Sequence, residues 1–102
     1  MELPRPRILV VEDDACVSRL MLRWLAAWGW EAEEAPSAAA ALECFDRYKY
    51  DAVLCDVDLP DGDGIVLAGA FVKRSPALIV VIASGSPANL DRARLAGLNE
   101  VL

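Results

Sequence analysis

The chain reads as an α/β domain, a doubly wound parallel sheet with helices on both faces. Three observations predict it. Short apolar runs alternate with stretches of helical period from end to end. The runs Ile8-Leu9-Val10-Val11 and Ala52-Val53-Leu54-Cys55 are apolar at every position, as strands covered on both faces are. Each ends at once in acids, Glu12-Asp13-Asp14 in one case and Asp56-Val57-Asp58 in the other. Neighbouring strands would therefore deliver carboxylates to one edge of the sheet.

Residues 7–11 form the first strand. A helix follows over 16–28, where Val17, Leu20, Met21, Trp24, Leu25 and Trp28 recur at three- and four-residue spacing as one apolar stripe. Asp13 or Asp14 can cap its start, and Gly29 suits the left-handed position that ends it. The more polar stretch 30–35 reads as an edge strand. Pro36 breaks it, and Ser37 caps a helix over 38–47 with Leu42 and Phe45 as its larger anchors. Residues 50–55 are the third strand, 59–64 a loop and 65–74 a helix ended by Ser75-Pro76. The run 78–82 is a strand buried on both faces, and 84–87 a turn. A short helix over 89–95 stops at Gly97, and 100–102 opens a fifth strand. Strand–helix alternation implies right-handed crossovers and a parallel sheet, with a ligand site beyond the carboxyl ends of the strands. Both acidic clusters and Ser84 fall at such ends.

A chain of 102 residues with 56% hydrophobic content is one small domain with ample core. No apolar run approaches the roughly 18–20 residues of a membrane span, and no signal-peptide stretch opens the chain. A net charge of −6 argues against nucleic acid as a direct partner. Cys16, Cys44 and Cys55 are scattered, and there is no histidine, which removes zinc sites and histidine-dependent nucleophilic triads and suits reduced thiols in the cytoplasm. Cys55 should pack under a helix, because neighbours on a strand face opposite ways. Trp24, Trp28 and Trp30 read as core and helix-rim residues. Asp61-Gly62-Asp63-Gly64 looks like the start of a calcium loop, but its twelfth position is Val72 and not glutamate. Like charges gathered at one edge call for a cation. Asp13, Asp14 and Asp56 are therefore the expected metal pocket, with Asp56 reactive beside it.

From Arg7 to Leu102 these residues resemble the receiver domain of two-component response regulators. The resemblance rests on Glu12-Asp13-Asp14, on Asp56, on Leu59-Pro60-Asp61-Gly62-Asp63-Gly64, on Ser84-Gly85 and on Ala96-Gly97-Leu98-Asn99-Glu100. It implies a flavodoxin-like strand order 2-1-3-4-5. It implies that Asp56 accepts a phosphoryl group from a histidine kinase or histidine phosphotransfer protein. Mg²⁺, or Mn²⁺, would be held by Asp13, Asp14, Asp56 and the backbone carbonyl of Asp58, with Asp14 binding directly and Asp13 through water. Ser84 and Gly85 would contact the phosphoryl group and move with the switch. The protein would then be a cytoplasmic signalling domain, assisting only its own phosphorylation and dephosphorylation.

The family's lysine at the end of strand five has no counterpart here, since Lys49 and Lys73 are the only lysines. Residues 1–6 are expected to be a tail and 7–102 a receiver lacking its last helix. A sheet face left bare in this way predicts a homodimer through strand or helix exchange. Two other functions compete. One is a pseudo-receiver that serves as an interaction module without phosphotransfer. The other is a haloacid-dehalogenase-type phosphatase, suggested by Asp56-Val57-Asp58, which leaves Glu12-Asp13-Asp14 without a role.

Overall fold

The computed structural model describes residues 4–84, 87–95 and 100–101. Strand β1 (Arg7–Val11) leads into helix α1 (Ala15–Ala27), β2 (Glu31–Ala35) into α2 (Ala38–Arg47), and β3 (Ala52–Asp56) into a two-stranded ribbon, β4 (Asp58–Leu59) and β5 (Gly62–Asp63). Helix α3 (Gly64–Arg74), β6 (Ile79–Ala83), α4 (Pro87–Leu95) and β7 (Glu100–Val101) complete the described chain. Five strands pair in parallel in the order β2-β1-β3-β6-β7. With the ribbon set aside this is the order 2-1-3-4-5 that the resemblance implied. The ribbon was expected as plain loop; two-residue strands are too short to show an alternating pattern.

The two sheet faces are covered unequally. Leu9, Val11, Val53, Cys55, Val80 and Ile82 point to one face and meet Ile65, Leu67, Ala68 and Phe71 of α3, Ala41 of α2 and Ala93 of α4. Phe71 is wholly buried and stacks on Phe45 with ring centroids 4.2 Å apart. Burying such a side chain stabilises the fold by about 2–3 kcal/mol. In α2 it is Ala41 that is buried; Leu42, expected as an anchor, lies in solvent while Phe45 packs on the core.

On the other face α1 packs over β1 and β2. The expected stripe on α1 is divided. Ser18, Met21, Leu22 and Leu25, at helical spacing, are its buried or half-buried side, and the Ser18 hydroxyl donates to Glu34 at 2.6 Å. Val17, Leu20, Trp24 and Trp28 form an exposed apolar flank, with Trp28 73% and Trp24 54% accessible. Two of the three tryptophans are thus outside the core, and Trp30 is half-buried. Beyond α1 the same sheet face continues through half-buried Leu54 to exposed Ile79.

Local signals set the helix ends. Asp14 caps α1, Ser37 caps α2 and Asp63 caps α3, each accepting backbone N–H groups of the first turn. Gly29 has φ +94°, the left-handed conformation that a glycine adopts without penalty.

Candidate functional site

The acidic edge follows from strand register. β1 and β3 run in parallel with Val11 opposite Cys55, so the next residues, Glu12 and Asp56, stand side by side where both strands end. β3 also pairs with β6, Asp56 opposite Ala83, which places Ser84 one residue beyond the level of Asp56 on the same edge. The chain must then turn sharply, and Gly64 makes this feasible. Its N–H donates to the Val57 carbonyl at 2.8 Å, and a Cβ there would lie 1.9 Å from the Asp56 carbonyl oxygen.

Glu12, Asp13 and Asp56 each bring a carboxylate oxygen within 4.8 Å of the others. Glu12 and Asp56 are half-buried and Asp13 is exposed. Burial pushes the Asp56 carboxyl above its ordinary value; the charges of Asp58 and Asp13 add to this, and the N–H groups of Asp58 and Val57 oppose it. Burial likewise raises Glu12, helped by Asp56 and Asp13 and opposed by the Asp14 N–H. Three hard carboxylate oxygen donors gathered this closely are the donor set that a small divalent cation such as Mg²⁺ takes, with waters completing its shell.

Asp14, expected in this pocket, is not among the clustered groups. Its Oδ1 accepts from the N–H of Cys16 at 2.9 Å and of Val17 at 3.2 Å, and its own N–H donates to Glu12 at 3.1 Å. Capping and ligation compete for one carboxylate, and here it caps. Glu12 takes the place expected of Asp14; continuing the β1–β3 register by one residue is the signal that identifies it.

The remaining expected residues are placed as follows. Asp58 opens β4 and is exposed. Ser84 is half-buried, and its Oγ accepts from Asn89 Nδ2 at 3.3 Å. Gly85 lies outside the described residues, as do Ala96–Asn99 and Leu102. Cys55 is buried among core residues as expected, and its Sγ–H is directed at the carbonyls of Asp56 and Gly64.

Two acids of the Asp61-Gly62-Asp63-Gly64 run hold the surrounding loop. Asp61 accepts from the N–H of Ala38 at 2.8 Å and of Ala39 at 3.0 Å, pinning the ribbon to the start of α2. Those bonds hold its carboxyl below the usual range. Asp63 caps α3 and pairs with Arg92 of α4 at 2.7 Å. Burial would raise the Asp63 carboxyl, but Arg92 and the helix N–H groups outweigh it and leave it lowered.

Comparisons with known proteins bear on this edge. The family model "Response regulator receiver domain" matches residues 8–102. The transcriptional regulatory protein PdtaR of Mycobacterium tuberculosis is 36% identical over 97 residues, which cover 93% of this chain and 47% of that protein. The sensor protein TorS of Escherichia coli is 34% identical over 76 residues, 74% of this chain and 8% of that protein. The chain spans less than half the length of these curated relatives. Among solved structures, the response regulator TrrA of Thermotoga maritima, in complex with Mg²⁺-BeF, aligns with a TM-score of 0.86 at 26% identity, over 95% of this chain and 84% of that one. A CheY-like receiver domain protein of Methanospirillum hungatei aligns with a TM-score of 0.85 at 28% identity, over 97% and 81%.

Proposed function

We propose, from the premise that this chain belongs to the response regulator receiver domain family of two-component systems, that it accepts a phosphoryl group on Asp56. The observation that carries the reading is the cluster of Asp56 with Glu12 and Asp13 at the carboxyl edge of the sheet. The donor would be a phosphohistidine on a histidine kinase or a histidine phosphotransfer protein. Sensor proteins such as TorS among the relatives support that pairing.

Glu12, Asp13 and Asp56 would hold Mg²⁺ or Mn²⁺, with the Asp58 carbonyl as a further ligand. The neighbour solved with Mg²⁺-BeF supports this choice of ion. When bound, the ion offsets the charge of the acidic edge and of the incoming phosphoryl group. Asp56 then uses one carboxylate oxygen as nucleophile on an already activated donor. The N–H groups of Val57 and Asp58 steady that carboxylate, and the Ser84 hydroxyl donates to a phosphoryl oxygen. Asp14 serves this arrangement by fixing the start of α1 rather than by ligation.

In this reading the domain signals to a protein partner, works in the cytoplasm and performs no turnover on other substrates. None of its helices, among the described residues, is long and apolar enough to cross a membrane. The test is incubation with Mg²⁺ and acetyl phosphate, followed by acid-stable and base-labile label on the protein. One equivalent of label, lost in Asp56→Asn, supports the phosphoacceptor. No label would favour the interaction module. Many turnovers of a simple phosphate ester would instead identify a phosphatase.

A further inference from the structure

Ser84 is joined to the start of α3 by a chain of polar side chains. Asn89 Nδ2 donates to Ser84 Oγ at 3.3 Å, Arg92 Nη1 donates to Asn89 Oδ1 at 3.3 Å, and Arg92 Nη2 donates to Asp63 Oδ2 at 2.7 Å. Asp63 is fixed in turn, since its Oδ1 accepts from the N–H of Ile65 at 2.8 Å. Gly64, the next residue, stands against Asp56. The relay therefore begins beside the acidic edge and returns to it.

The relay has a fixed direction. Arginine can only donate, so the side of Asn89 facing Arg92 must be its amide oxygen. The side facing Ser84 is then the amide nitrogen, which can only donate. Ser84 Oγ is thereby made an acceptor toward Asn89, and its own hydrogen is directed to a different acceptor. Ser84 lies one residue beyond the register partner of Asp56. The oxygens of a phosphoryl group on Asp56 only accept, so they need that hydrogen. Were residue 89 an acceptor, the Ser84 hydrogen would turn toward it and away from the phosphoryl group.

We infer that Asn89, oriented by Arg92 on Asp63, is a positioning residue that keeps the Ser84 hydroxyl a donor toward the group carried on Asp56. The inference rests on the phosphoacceptor reading and adds to it a device on α4 that sets the polarity of one hydrogen bond.

The test compares phosphoryl uptake from acetyl phosphate, with Mg²⁺, in the unmodified chain, Ser84→Ala, Asn89→Asp, Asn89→Ala and the double variant Ser84→Ala/Asn89→Asp. Aspartate keeps the acceptor for Arg92 and removes the donor to Ser84. A carboxylate in the first turn of α4 favours the helix, so the variant should fold. Asn89→Asp is expected to slow uptake roughly three- to tenfold, the worth of one hydrogen bond. Asn89→Ala should slow it less, because no acceptor competes for the hydrogen. In the Ser84→Ala background Asn89→Asp should cost nothing further, and Mg²⁺ affinity by calorimetry should be that of the unmodified chain. Uptake at the unmodified rate in Asn89→Asp, equal losses in both Asn89 variants, or the same loss without the Ser84 hydroxyl would each overturn the inference. An unmodified chain that takes up no phosphoryl group sinks the phosphoacceptor reading and this one together; normal uptake with an indifferent Asn89→Asp sinks this one alone.

Discussion

Gly64 stands so close to Asp56 that a Cβ on it would fall 1.9 Å from the Asp56 carbonyl oxygen. Backbone is the obstacle, so no side-chain rotation can relieve the clash. Gly64→Ala should therefore cost about 3 kcal/mol or more, the upper range for overpacking. Denaturant unfolding monitored by tryptophan fluorescence measures it. A loss under about 1 kcal/mol would show that the turn after Asp56 is freer than described.

Glu12 and Asp14 should separate cleanly on substitution. Glu12→Gln removes a clustered carboxylate and is expected to weaken Mg²⁺ binding roughly tenfold, within the range that loss of a supporting ligand gives. Asp14→Asn retains a good cap and should leave both Mg²⁺ affinity and stability near the original. Asp14→Ala should cost about 1 kcal/mol of stability with little effect on the ion. Titration calorimetry beside thermal melting distinguishes the two; a tenfold loss of affinity in Asp14→Asn would return Asp14 to the pocket.

The acidic edge gives stability a pH dependence that Mg²⁺ should reverse. Burial and neighbouring charges raise Glu12 and Asp56 in the folded protein. Their contribution is full below the ordinary carboxylate value, about 4, and is lost as pH rises through the raised folded values. Asp61 and Asp63 act in the opposite sense: both are lowered, so their contribution is present above that ordinary value and lost as pH falls through the folded ones. If Mg²⁺ binds the ionised edge, as proposed, its gain in melting temperature should be small near pH 4 and full near pH 7. A gain independent of pH would place the ion elsewhere.

The exposed flank of α1 should behave unlike the core. Phe71→Ala is expected to cost about 3–5 kcal/mol, as large core truncations do. Trp28, 73% accessible, should tolerate alanine within about 0.5 kcal/mol. Leu20, Trp24 and Trp28 in solvent also favour pairing of two copies of this chain through the exposed flank of α1. Light scattering across a concentration series should show a dimer that Trp24→Glu disperses. Monomer at every concentration would discard the pairing.

Much of this was legible in the residues. Continuous apolar strands require cover on both faces, and their acidic ends were expected to meet at one edge, where Glu12, Asp13 and Asp56 do gather. Gly29, Ser37 and the polar β2 were legible because each local signal has one physical cause. Asp14 was expected among the ligands, but an aspartate before a helix can also cap it, and its bonds to the N–H groups of Cys16 and Val17 appear only in the structure. Glu12 was passed over because its partner, Asp56, is distant in sequence and adjacent only through strand register. The division of the α1 stripe was hidden for a related reason: periodicity gives the apolar arc of a helix but not how much of it a neighbour covers.

Asp61 closes a contact between backbone sites 22 and 23 residues away in sequence, from the turn after Asp56 to the first turn of α2. The amides of Ala38 and Ala39 therefore report on the opening of a loop to which they do not belong. In hydrogen exchange the two segments should open as one cooperative unit, below the free energy of global unfolding. The stretch beside Asp56 would then loosen together with α2, so a partner that grips α2 would slow the breathing of the acidic edge.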